Sequence, residues 1–295
     1  VIIETQHLTR RYGPVAAVSD LRLRVPTGGI SAFLGPNGHG KSTTIKMLLG
    51  MVCPTSGTGQ VFGRDIADPA ASLEIRRRTG FVSEDKLLYG YMSVRQILAF
   101  TRSFYPTWQP HREKELLALF ELPLDRKVKQ LSKGMRTKLA LILALARGAE
   151  LLILDEPSEG LDPVVTEIML REVVRSSAEG ATVFFSSHQL SEAERIADHV
   201  FILKRGQIVL EGRLDELQSK YRRLNAVFAG APPLEALRPL NLTHVQTDGP
   251  VLSTLTNGQA EATIAGLRQL GALSVEAHPV NLRELFLQVV QERPQ

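Results

Sequence analysis

The stretch Gly35-Pro36-Asn37-Gly38-His39-Gly40-Lys41-Ser42-Thr43 decides how this chain is read. It follows a short apolar run, Ile30-Ser31-Ala32-Phe33-Leu34, and opens into Thr44-Ile45-Lys46-Met47-Leu48-Leu49. Gly-x4-Gly-Lys-Ser between a strand and a helix fits the pattern of a phosphate-binding loop. Its glycines let successive backbone N–H groups converge on phosphate oxygens. The helix that follows adds the positive end of its dipole. All nine residues, Gly35, Pro36, Asn37, Gly38, His39, Gly40, Lys41, Ser42 and Thr43, belong to the expected nucleotide cradle. Lys41 is expected to reach the β- and γ-phosphates, and Ser42 to offer its hydroxyl to Mg²⁺. The His39 side chain is expected to face solvent rather than the ligand.

A phosphate loop says nucleotide and leaves the reaction open. The second nucleotide element is Leu151-Leu152-Ile153-Leu154-Asp155-Glu156, an apolar strand ending in two carboxylates. Asp155 is placed to hold Mg²⁺ through water. Glu156, one residue on, points the other way and can polarise an attacking water.

Working outward, the α/β alternation predicts a nucleotide-binding core over 1–85 and 149–220. Asp20 to Val25 alternates apolar and charged residues like a half-exposed strand. Between the two core segments the texture becomes helical, at Ser93–Tyr105, Arg112–Leu122 and Met135–Arg147, so 86–148 reads as a helical insertion. The core pattern resumes with a helix from Pro163, a buried strand at Ala181–Ser187 and a hairpin around Lys204-Arg205-Gly206. After Lys220 the composition shifts again. Residues 221–295 read as a small α+β module: strands near 224–229, 242–247, 251–256 and 273–277, a helix near 259–270, and a last helix from Leu282 to Val290.

Composition bounds the function classes. With 295 residues, 43% of them apolar, the chain can bury a sizeable core. A net charge of +4 argues against a dedicated nucleic-acid binder. The one cysteine, Cys53, excludes an internal disulfide and is expected to be a small buried hydrophobe. No apolar run approaches the ~18–20 residues of a membrane span. The chain begins at Val1 without a basic-then-apolar leader pattern. It is therefore expected to be soluble and to reach a membrane only through a partner.

Six motifs in order carry a resemblance to the ATP-binding-cassette (ABC) ATPases, over about residues 2–215. Leu131-Ser132-Lys133-Gly134-Met135 resembles the family's signature motif, Ser158-Glu159-Gly160-Leu161-Asp162 its D-loop, and His188 its switch histidine. Tyr12 stands where those proteins stack an aromatic ring on adenine, and Glu84 at the Q-loop position. The resemblance implies a P-loop NTPase cassette with a RecA-like core, an antiparallel β subdomain and an inserted helical subdomain. It implies ATP as substrate and Mg²⁺ held by Ser42, Glu84 and Asp155. Lys41, Glu156 and His188 would be the catalytic residues. Ser132 and Gly134 would meet the γ-phosphate held by a second cassette, so that two copies close around two ATP. The sequence departs from the pattern in Glu84 for glutamine, Lys133 for glycine and Met135 for glutamine. These features, with the C-terminal extension, are similar to exporter cassettes that work with a separate permease chain, the drug-resistance and polysaccharide-export kind. The implied place is the cytoplasmic face of the cell membrane, held there by the permease.

The apolar loop Leu87-Leu88-Tyr89-Gly90-Tyr91-Met92 is either tucked into the helical insertion or exposed as a contact patch. In the family the matching place receives a short permease helix, with Leu88 and Tyr89 in contact. The competing function is a soluble ABC ATPase acting on ribosomes or DNA. Against it stand the single cassette and the absence of sustained heptads between Lys41 and Asp155.

Overall fold

The computed structural model describes residues 1–240 and 242–291. They form two compact units, one of residues Val1–Glu211 and the other beginning at Gly212.

The first unit opens with β1 (Ile3–Tyr12) and β2 (Val15–Val25), an antiparallel pair. β3 (Ile30–Leu34) follows and leads through the glycine loop into α1 (Lys41–Leu48). β4 (Ser56–Val61) and β5 (Arg64–Asp65) extend the first pair into a four-stranded sheet, ordered β2-β1-β4-β5. α2 (Pro69–Arg78) then delivers the chain to β6 (Thr79–Val82). The sequence reading passes over α2 because only Ala71, Ser72 and Ile75 of its ten residues are buried, too few to print a helical stripe. Its start is nonetheless well specified, by the Asp68 cap and by Pro69 at the first position.

The helical insertion comprises α3 (Val94–Arg102), α4 (Pro110–Phe120) and α5 (Lys133–Leu145). Ser93 and Gln96 close a capping box at the start of α3, a device in which the cap alone is worth about 1 kcal/mol. α5 buries every residue from Leu139 to Leu145, which explains why it holds the longest apolar run of the chain. The insertion is tied back to the core by ion pairs. Arg112 of α4 pairs with Glu172, and Arg175 with Glu115 at 3.2 Å.

The core resumes with β7 (Leu151–Asp155), α6 (Pro163–Ala178), β8 (Thr182–Ser187), α7 (Leu190–Ile196), β9 (His199–Lys204) and β10 (Gln207–Arg213). The six-stranded sheet runs β10-β9-β3-β8-β7-β6. β3 lies parallel between β8 and β9, and β7 parallel between β6 and β8. Strands covered on both faces read as continuous apolar runs. β3, β7 and β8 are accordingly buried at every residue. Phe33 and Phe184 pack ring against ring at 5.2 Å between centroids within this core. The C-terminal ends of β3 and β7 carry the phosphate loop and the carboxylate pair, the place where parallel α/β sheets bind ligands.

The second unit holds α8 (Leu214–Lys220), β11 (Tyr221–Phe228), α9 (Leu234–Leu237), β12 (Thr243–Asp248), β13 (Val251–Asn257), α10 (Ala260–Gln269), β14 (Ala272–Pro279) and α11 (Leu282–Gln291). Its sheet is antiparallel throughout, ordered β12-β13-β11-β14, a split β-α-β-β-α-β arrangement. Leu224, Ala226, Phe228, Leu237, Leu252 and Leu267 give it a core of its own. The contact boundary at 211/212 precedes the composition shift at 221, because α8 reads as an ordinary amphipathic helix of the core. Residues 241 and 292–295 of the expected module lie outside the described residues.

Cys53 corrects an expectation: it is exposed. It sits in the turn between α1 and β4, where its carbonyl accepts a hydrogen bond from Arg10 Nη1 at 2.8 Å. A surface connection overrides the residue's general habit of burial. Among the described residues no helix is long and apolar enough to cross a membrane.

Candidate functional site

The glycine loop folds into a cradle because two of its positions tolerate no side chain. A Cβ on Gly40 would stand 2.2 Å from the Ala17 carbonyl oxygen, and the residue has φ +102°. A Cβ on Gly35 would meet the Leu203 carbonyl at 2.5 Å. No side chain caps α1 and no acidic residue sits in its first turn, so its N-terminal N–H groups face the cradle without a competing anion. The resulting cavity, about 280 Å³, is lined by Ala17, Asn37, Gly38, Gly40, Lys41, Ser42, Thr43, Glu84 and Glu156.

Lys41 is buried, and its Nζ donates to the Gly35 carbonyl at 2.7 Å. It also stands 3.4 Å from Glu156 Oε1. Glu156 follows β7 in a left-handed conformation, φ +49°, and is buried. Its Oε2 meets His188 Nδ1 at 2.8 Å and accepts from the His188 N–H at 3.3 Å. Oε1 is buried and receives no hydrogen bond. Lys41, Glu156 and His188 thus form one connected row, of which Lys41 and Glu156 line the cavity.

Asp155 ends β7 and is also buried. Burial pushes its carboxyl up, the Ser186 and Ser42 hydroxyls pull it back, and the charges of Glu84 and Glu156 push it up further. Ser186 Oγ donates to Asp155 Oδ1 at 2.6 Å, and Ser42 Oγ to Glu84 Oε2 at 3.1 Å. Ser42, Glu84 and Asp155 therefore share one corner. Among the described residues no three His, Cys, Asp or Glu side chains are grouped to hold a metal by themselves. A hydroxyl with two carboxylates suits a hard divalent cation that takes its remaining ligands from phosphate and water.

A family profile described as ABC transporter matches residues 18–159. The chain is 38% identical over 226 residues to the bacitracin transport ATP-binding protein BcrA of Bacillus licheniformis, covering 75% of this chain and 73% of that one. It is 32% identical over 295 residues to the Nod factor export ATP-binding protein I of Burkholderia orbicola, covering 97% and 96%. A solved ATP-binding subunit of an ABC transporter superposes with a TM-score of 0.68 at 30% identity, over 74% of this chain and 92% of that one. The chain belongs to the ABC transporter family. It is one of the family's ATP-binding subunits.

The other motif positions of the ABC subunit fall into two groups. Tyr12 ends β1, is exposed, and carries the Arg10 guanidinium 4.6 Å from its ring centroid. It does not line the cavity; Ala17 does. Ser132 and Gly134 also lie off the cradle. Ser132 Oγ caps α5 by accepting the Met135 N–H at 3.2 Å. Gly134 is packed so closely on the D-loop that a Cβ would stand 2.6 Å from the Gly160 carbonyl. Lys133, between them, pairs with Glu159 at 2.5 Å. A neighbouring cavity of about 260 Å³ is lined by Glu84, Asp85, Lys86, Lys133, Arg136 and Glu159.

His39 departs from expectation. It is half-buried rather than solvent-facing, because its carbonyl accepts the Gly206 N–H at 3.1 Å and Nδ1 faces the Arg205 N–H at 3.4 Å. Burial lowers its pKa, with help from the charges of Lys41, Arg205 and Lys204. In the apolar loop, Leu88 is half-buried while Leu87, Tyr89 and Tyr91 are exposed. Tyr89 stacks with Tyr91 at 5.9 Å and with Phe100 at 5.7 Å, and Phe100 with Phe104 at 5.0 Å. These four rings form one exposed aromatic row.

Sequence reasoning missed the supports behind the site. Glu192 of α7 is buried and accepts from Ser158 Oγ at 3.0 Å and Ser187 Oγ at 3.2 Å, linking the D-loop to the strand before His188. Burial pushes its carboxyl up. The signal was the polar pair Ser186-Ser187 closing an otherwise apolar strand. Lys86, buried beside Glu156, gave no signal, since it simply ends the polar run Ser83-Glu84-Asp85-Lys86.

Proposed function

We propose that this ABC subunit hydrolyses ATP at a composite site formed by two copies, and drives a separate permease, most in keeping with export. One observation carries the reading: the buried Glu156 carboxylate stands between Lys41 and His188 at the mouth of the phosphate cradle, with Oε1 unbonded. A carboxylate so held can orient a water toward the γ-phosphate and receive its proton. Lys41 supplies positive charge to the phosphate oxygens. His188, bonded to Glu156 through Nδ1, keeps Nε2 for the γ-phosphate or the water. Mg²⁺, with Ser42, Glu84 and Asp155 as its protein ligands, would neutralise phosphate charge. Tyr12, its other face covered by Arg10, would stack on adenine.

Ser132 and the Gly134 N–H form the N-terminus of α5, an anion site apart from the chain's own cradle. Its natural occupant is the γ-phosphate on a second copy. The aromatic row that starts in the 84–92 loop would seat the permease, and through it the subunit would work at the cytoplasmic face of the membrane. The transport names of the relatives support this reading over action on ribosomes or DNA.

Glu156→Gln tests the reading. ATP binding should persist while hydrolysis falls by roughly 10²–10⁴, the worth of a positioned base. An ATP-dependent dimer should accumulate in size-exclusion chromatography. Near-normal turnover in this variant would remove Glu156 from the mechanism.

A further inference from the structure

Lys86 lies on an exposed loop two residues beyond Glu84, yet it is only 5% accessible. Lysines that serve packing alone bury the stem and keep the ammonium in water. Here the whole side chain is buried, ammonium included. Its partners come from three places: the Glu84 carbonyl at 3.1 Å, the Glu156 carbonyl at 3.2 Å and Glu159 Oε2 at 3.8 Å. The two carbonyls accept hydrogen bonds from the ammonium, and Glu159 faces it as an ion pair.

The geometry of the partners gives this contact a purpose. Lys86 and Glu156 are both left-handed, φ +46° and +49°, a conformation that persists in such residues only where surroundings hold it. The bond from Lys86 Nζ to the Glu156 carbonyl joins these two turns directly. Glu159 is shared: Oε1 takes Lys133 Nζ at 2.5 Å, while Oε2 faces Lys86. Lys133 opens α5 immediately after the Ser132 cap. A continuous charged row, Lys133–Glu159–Lys86, therefore ends on the peptide that aims the Glu156 carboxylate.

We propose that Lys86 is a positioning residue for hydrolysis, pinning the Glu156 main chain and linking it through Glu159 to the signature end of α5. The proposal rests on the reading of Glu156 as the base. It gives a physical route by which contact at Ser132 and Lys133 with one nucleotide reaches the base acting on the other. A negative charge arriving at the start of α5 competes with Glu159 for Lys133. Glu159 is then left to Lys86 alone, and the pull on the Glu156 peptide changes.

The test compares Lys86→Met, Lys86→Arg, Glu159→Gln and Glu156→Gln in the full chain. Steady-state kinetics, calorimetric binding of a non-hydrolysable ATP analogue and thermal melting are read for each. Lys86→Met should lower kcat by about tenfold to a hundredfold, the effect of a small misplacement of a reacting group, with KM and analogue affinity within about threefold. Lys86→Arg should recover most of the loss. Glu159→Gln should lower kcat less, and should add nothing in the Lys86→Met background, because residues of one network are not additive. Normal kcat in Lys86→Met beside a dead Glu156→Gln overturns the proposal and spares the base. Normal kcat in Glu156→Gln overturns both. Parallel loss of kcat, analogue binding and melting temperature in Lys86→Met makes the lysine merely structural and also overturns it. Should Lys86→Met fail to fold, unchanged kcat in folded Glu159→Gln overturns the link.

Discussion

The cradle end and the signature end of the ABC subunit are built on opposite plans. At the cradle the polar side chains are partnered among themselves: Lys41 meets Glu156, Glu156 meets His188, and the Ser42 hydroxyl meets Glu84. At the start of α5, Ser132 spends its hydroxyl on its own helix cap, and Gly134 is pressed against the D-loop. Neither lines the chain's own cavity. On the composite-site proposal, nucleotide binding would be a property of one chain, whereas turnover would require a surface that one chain cannot present to itself.

Substitutions at the two ends should therefore separate. Of Ser132→Arg and Lys41→Ala, the first should have the larger effect. Ser132→Arg places a bulky cation at the proposed anion site of α5. It should cut hydrolysis by about 10²–10³, the cost of losing preorganised donors to the reacting phosphate, while the affinity of a single chain for ATP is kept. Lys41→Ala acts at the cradle and should instead weaken ATP binding itself, by about tenfold to a hundredfold, the worth of a hydrogen bond to a charged group. Isothermal calorimetry and a phosphate-release assay on the same samples distinguish the two. Equal loss of binding in both variants would erase the contrast.

A third region sharpens it from the membrane side. Tyr89→Glu breaks into the exposed aromatic row without touching the cradle. Loss of a central aromatic anchor costs about 2 kcal/mol or more, roughly 30-fold in affinity for the permease, while ATP binding should be unchanged. Retention of the membrane partner on co-purification, with transport intact, would move the docking surface elsewhere. Leu87, exposed where Leu88 is half-buried, is the better second position for the same test.

The smallest effect is expected from the C-terminal unit, which has its own sheet and core and none of the nucleotide motifs. Deleting 221–295 should shift ATP affinity by no more than about threefold, under ~0.7 kcal/mol. We expect its role in dimer stability or regulation, visible in chromatography or in the rate of turnover. Complete loss of ATP binding in a folded truncation would show that it helps to build the site.

The two ends also differ in how far the sequence discloses them. The phosphate loop is a contiguous run whose glycines, lysine and serine each answer a local demand, so its cradle is legible in the residues themselves. The same holds for β7, where a doubly covered strand prints a continuous apolar run before its two acids. Long helices with a wide apolar face, such as α5, are equally plain. α2 escapes because it buries too little to set a rhythm, Cys53 departs from its habit of burial in a surface connection, and His39 departs through contacts with Arg205 and Gly206, far along the chain. Lys86 and Glu192 are invisible for the same reason as the His39 contacts. Their roles exist only in contacts with segments far along the chain, at Glu156 and Ser158, and no spacing rule encodes those. The aromatic row is half legible: Tyr89 and Tyr91 stand out as apolar loop residues, but Phe104 reads as one of the helically spaced apolar residues of Ser93–Tyr105 and no spacing marks Phe100.

The contrast between the two ends is tested most directly by mixing its two halves. Ser132→Arg and Lys41→Ala chains, carrying different affinity tags, are co-expressed, and the heterodimer is isolated by sequential capture with ATP present. Neither homodimer should hydrolyse ATP above a few per cent of the normal rate. In the heterodimer, the intact cradle of the Ser132→Arg chain faces the intact signature of the Lys41→Ala chain, so one composite site is restored. The account predicts recovered phosphate release from the heterodimer alone. Normal turnover by Ser132→Arg on its own, or no recovery in an isolated heterodimer, would contradict it.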